Sequence, residues 1–132
     1  MVDFFEALHS FMKKDRELSK EVEDRIYPLL SSQEPLVPNI IYTPITCNYD
    51  ENLQQESGFV RQIVQFTIHH TTFGKVRKTS RILRHLFKDF SGDMCGIDIQ
   101  AIHPLNDMSI GTDDLAKEYM WVIELEFQYM EE

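Results

Sequence analysis

The chain is expected to fold as a single α+β domain over residues 1–132: a four-stranded, mainly antiparallel sheet with two helices packed on one face. Three observations predict this. Residues 118–130 alternate, with Tyr119, Trp121, Ile123, Leu125, Phe127 and Tyr129 on one side and Glu118, Glu124, Glu126 and Gln128 on the other, and only a strand turns successive side chains to opposite faces. Two other stretches, one near the N-terminus and one mid-chain, repeat their apolar residues at helical spacing. At 132 residues, 42% hydrophobic and 27% charged, the chain can bury one core and has the composition of an ordinary globular protein.

The elements follow in order. Phe4, Phe5, Leu8, Phe11 and Met12 form a helical stripe, with Asp3 placed to cap it and Lys13 and Lys14 at the end where the helix dipole favours cations. Glu17 to Asp24 suits one further helical turn, and Pro28 limits any strand around Ile26 to a stub or an edge. Ser31 to Pro38 reads as a loop leading into a β-branched strand from Asn39 to Thr46, ended or bulged near Pro44. Asn48 to Ser57 is polar and aperiodic, a long loop by this reading.

Alternation returns from Gly58 to His70, with Val60, Val64, Phe66 and Ile68 facing one way and Gln62 interrupting them. Thr71 and Thr72 offer an N-cap for a helix to about Phe90, with Val76, Thr79, Leu83, Leu86, Phe87 and Phe90 inward. Ile97 to Ile102 forms the next strand, and His103 to Asp114 reads as a second polar loop before the closing strand. A strand-helix-strand crossover is right-handed and parallel, so the closing strand fits between the Gly58 and Ile97 strands, antiparallel to both. Counting the stub as strand 1, the expected order is 2-3-5-4. Leu83, Phe87, Trp121 and Phe127 should then be buried together, with Glu124, Glu126, Arg61 and Gln65 on the uncovered face.

Chemistry is sparse in this sequence. His69 and His70 are adjacent on a strand and point to opposite faces, so they cannot chelate one metal, and His9, His85 and His103 have no partner at ligand spacing. Glu124 and Glu126 share a face of an open sheet with no pocket implied around them. No phosphate-binding glycine loop, nucleophile elbow or zinc-protease motif occurs. The expectation is a protein that is not an enzyme and has no catalytic residue, metal or cofactor. Cys47 and Cys95 are expected as free, at least partly buried thiols. No apolar run reaches the ~20 residues of a membrane helix, and the N-terminus lacks the basic-then-apolar pattern of a secretory signal, so a cytoplasmic setting without membrane contact is expected.

The charge layout is the stronger signal. The net charge is −9, which disfavours general nucleic-acid binding, yet Lys75, Arg77, Lys78, Arg81, Arg84 and Lys88 crowd one segment and leave the remainder strongly acidic. Such a face can be solvated, can dock on protein carboxylates, or can meet nucleic-acid phosphate. The acids available to it in other copies are Glu124 and Glu126 on the sheet and Asp50, Glu51, Asp107 and Asp113 in the two loops.

Taken together, an opening helix, Asp24-Arg25-Ile26-Tyr27-Pro28-Leu29, then Val37-Pro38-Asn39-Ile40-Ile41-Tyr42, Arg61-Gln62-Ile63-Val64-Gln65-Phe66, an amphipathic helix and an aromatic closing strand resemble the tail completion, or tail-to-head joining, proteins of long-tailed bacteriophages. The resemblance implies a non-enzymatic virion protein that forms a hexameric ring and caps the tail tube. It also implies joining to the head completion or connector protein, at the head-tail junction of the virion and in the host cytoplasm during assembly, with genomic DNA passing through the lumen without sequence-specific binding. The helix here is more basic than that family's. The alternative is a small α+β adaptor that binds an acidic protein or RNA through the basic helix.

Overall fold

The computed structural model describes residues 2–28, 36–52, 55–113 and 118–131, with backbone alone at 50–52, 55–57 and 111–113. Helix α1 (Phe4–Lys14) begins where the Asp3 carboxylate accepts the Phe5 and Glu6 N–H groups at 3.0 and 3.2 Å, satisfying donors that the first turn leaves unpaired. Asp15 ends it and caps α2 (Arg16–Glu21) by accepting the Leu18 N–H at 2.9 Å. Three strands follow, β1 (Ile26–Pro28), β2 (Asn39–Asn52) and β3 (Gln55–His70), then α3 (Phe73–Phe87), β4 (Gly92–Met94), β5 (Ile97–Asp113) and β6 (Glu118–Met130).

The sheet runs β1-β2-β3-β6-β5-β4. It is mixed and curled, a half-barrel with three helices, which corrects the expected four-stranded sheet with two helices. The extra strands are three residues each and too short to show a period. β1 pairs in parallel with Ile40 to Tyr42 of β2, and β4 folds back on Ile97 to Ile99 through a turn in which Cys95 and Gly96 both take positive φ. The extra helix is the brief turn after Asp15.

Both expected loops are also corrected. β2 continues to Asn52 and β3 starts at Gln55, so the segment read as a loop from Asn48 to Ser57 is paired strand on either side of residues 53–54, which lie outside the description. β5 runs through the supposed loop to Asp113. From Asn48 to Ser57 the stretch is polar, with Tyr49 and Leu53 its only hydrophobic residues, so no apolar alternation marks it; in β5 the cause is bulging. Gln100, Leu105 and Ile110 in β5, like Ile45 in β2, are each skipped by the pairing register. In β5 such bulges reset the alternation every few residues and erase the period that marks a strand.

All three helices lie on one face. Phe66, Phe87 and Phe127 form the centre of the core, with Phe87 edge-on to Phe127 at 5.3 Å and Phe4 stacked on Tyr129 at 4.8 Å. Leu83 is fully buried, whereas Leu86 and Phe90 pack at its margin. Gln62 is buried and donates to the carbonyls of Thr46 and Ile63 at 3.0 and 3.1 Å, so its interruption of the apolar row is satisfied by backbone. Two burial expectations fail: Trp121 is only half-buried, at the end of the core, and Cys47 is exposed.

Candidate functional site

Helix α3 starts with the Thr72 hydroxyl accepting the Lys75 N–H at 3.2 Å and buries Val76, Thr79, Ser80, Leu83 and Phe87. Its cations do not act as one patch. Lys78 pairs with Glu21 at 2.9 Å, and Arg84 pairs with Asp107 on β5 at 2.8 Å. Arg77 lies over the Trp121 ring at 4.9 Å, while the Trp121 indole N–H donates to the other Asp107 oxygen at 2.5 Å. Asp107 thus binds α3 and β6 to β5, one carboxylate serving two donors. Lys75, Arg81 and Lys88 are exposed and form no ion pair among the described residues.

The acids expected to answer this face are spread out. Glu124 and Glu126 lie on the sheet face without helices, where Glu124 accepts from the Asn106 amide and Glu126 from the Gln128 amide, both at 2.8 Å. Across from them on β3 stand Gln65 and Ile63, with exposed Arg61 one pair further along. Asp107 lies on the opposite face, already engaged. Asp50, Glu51 and Asp113 belong to the strands β2 and β5, and their side chains lie outside the description. Sequence reasoning missed the Asp107 junction because bulges hide which way a β5 side chain points; the lone Trp, needing an acceptor for its N–H, was the available signal.

Burial disfavours the charged form of three histidines. His70 Nε2–H donates to the Glu21 carbonyl at 3.0 Å while its Nδ1 accepts the Thr71 N–H at 2.9 Å. Burial is the main cause that lowers its pKa, with Lys75 adding to it and Glu21 opposing. His9, 2.9 Å from the Tyr42 hydroxyl, is lowered by burial and then by Lys13. His69 is lowered by burial against the opposing pull of Glu118 at 3.1 Å. A histidine whose folded pKa lies below its unfolded value of 6.5 contributes stability that is whole above that pH and lost as pH falls through the folded value. Urea unfolding should therefore show the protein weakening progressively below about pH 6.5. His70→Gln, which keeps a donor for the Glu21 carbonyl but cannot titrate, should flatten part of that slope. Stability that rises on acidification from 7 to 5 would contradict this effect of burial.

Compared by sequence, the chain matches no protein-family model and no curated protein. Compared by structure, it is similar to a chain of the virion of a native gene transfer agent particle, with a TM-score of 0.70 over 96% of this chain and 94% of that one. Identity between them is 8%, so the likeness is one of fold, and it extends over essentially the whole of both chains.

Proposed function

We propose that this chain is a structural virion protein that caps the tail tube and joins it to the head connector as a ring of identical copies, without catalysis. The observation that carries the reading is the fold shared, nearly end to end, with a component of a phage-like virion. Two features of the molecule suit the role. All helices sit on one face of the sheet, leaving a face on which Glu124, Glu126 and Asp98 outnumber Arg61, and such a surface lets a polyanion slide without adhering. Three of the six α3 cations, Arg77, Lys78 and Arg84, are engaged within the subunit, which leaves Lys75, Arg81 and Lys88 to face a partner.

The test is reconstitution. Purified protein added to separated heads and tails is expected to restore joined particles, with a ring visible at the tail end by electron microscopy. A protein that leaves heads and tails unjoined, and instead binds RNA or an acidic protein through Lys75, Arg81 and Lys88 with affinity falling steeply in salt, would replace this reading with that of an adaptor.

A further inference from the structure

We infer that successive copies join by pairing the open edge of β2 in one copy with the open edge of β5 in the next, sealed by the exposed apolar side chains at and beside the bulges. The inference rests on the ring reading and names its contact. β1 covers β2 only at Ile40 to Tyr42, and β4 covers β5 only at Ile97 to Ile99. No described strand pairs with the outer side of β2 beyond Thr43 or of β5 from Gln100 to Met108. Unpaired edges invite pairing with another chain, and folded proteins ordinarily guard them with charge. Here charge is missing, and the edges are interrupted only locally, by Pro44, Pro104 and the bulges beside them. Thr43 to Tyr49 contains no charged residue, and Gln100 to Met108 contains only Asp107, already held by Arg84 and Trp121, in a chain that is 27% charged.

What stands on these edges is apolar. The bulge residues Ile45 on β2 and Leu105 and Ile110 on β5 are 45%, 46% and 50% exposed, and Met108 is 45% exposed beside them. Direction fits as well: β2 and β5 run oppositely within the sheet, since each step from β2 to β3 to β6 to β5 is antiparallel. Copies set side by side in one orientation therefore bring β5 against β2 antiparallel, a heterologous contact of the kind that closes rings. The caps are diagonal, β1 at the start of β2 and β4 at the start of β5, so the open stretches are offset along the strands. Pro44 and Pro104 stand level across the sheet, opposite Val64 and Leu125, and neither can donate. Pairing is thus directed to Ile45 to Tyr49 and to Leu105 to Met108, staggered as in strands tilted to the axis of a closed sheet.

Ile45→Lys and Leu105→Lys test this at positions that are already half-exposed, after circular dichroism and the urea midpoint of each are matched to the parent. By sedimentation, at concentrations well above those at which the parent forms rings, each variant alone is expected to be monomeric. Mixed, they should give dimers and nothing larger, because one intact β5 edge then faces one intact β2 edge. Variants that still form the parent's ring, or a mixture that stays monomeric, would overturn the seam and leave the ring reading standing. A parent that stays monomeric at every concentration and on tail tubes would overturn the ring reading itself.

Discussion

Replacing Phe87 by alanine is expected to cost about 3–5 kcal/mol, a large share of the stability of a domain this size. Phe87 is buried where α1, α3, β3 and β6 meet, with ring centroids of Phe11, Phe66 and Phe127 at 5.7, 5.7 and 5.3 Å. No single neighbour can collapse into the space, because each ring is held by a different element. Phe87→Leu should recover much of the loss. Chemical denaturation checks both, and an alanine variant within about 1 kcal/mol of the parent would show that the core closes elsewhere. The half-buried Trp121 should cost less when truncated than Phe87 does.

Substituting Gly58 by valine is the second large effect expected. Gly58 has φ +70, and a Cβ there would stand 2.8 Å from the Glu131 carbonyl oxygen, which is backbone and cannot swing aside. The conformation alone costs a β-branched residue roughly 1–3 kcal/mol, and the clash adds to it by prising away the end of β6, where Glu131 N–H donates to the Gly58 carbonyl at 2.6 Å. Hydrogen exchange should show protection lost at Tyr129 to Glu131 while α3 stays protected. Equal protection at both ends of β6 in parent and variant would show that β3 yields at Gly58.

How far the sequence could be read depends on the element. The alternation of Tyr119 to Tyr129 and the stripe of Val76, Thr79, Leu83 and Phe87 are long, regular patterns, and each places its residues on the helix-facing side of the sheet or on the inner side of α3. β1 was legible only as a stub at Ile26 to Pro28 and β4 not at all, because three residues carry no period and both strands exist only by pairing with longer neighbours. The far half of β5 was misread as a loop because Leu105 and Ile110 each shift the phase by one residue, and the far half of β2 because Asn48 to Asn52 carries one hydrophobic residue, Tyr49. The basic run of α3 was legible as a run. Its division among Glu21, Asp107 and Trp121 was not, since those partners lie on three other elements. Side chains of Asp50, Glu51 and Asp113 lie outside the description, so the acidic half of the charge argument rests on Glu124 and Glu126.

The seam between β3 and β6 also sets the order in which the chain can fold. β2 with β3, and β5 with β6, are hairpins of near neighbours, and such ribbons close on a timescale of about 1–10 μs. β3 and β6 are different: even their nearest pair, His70 with Tyr119, is separated by the whole of α3, β4 and β5. Joining them bears the entropy of a long closure, which slows folding of sheet proteins toward milliseconds or longer. During synthesis the first ribbon leaves the ribosome with β3 bare along the side that β6 will occupy. That side stays open until the thirteen-residue β6 has been made, so this aromatic strand is also what shields the nascent molecule from pairing with its neighbours.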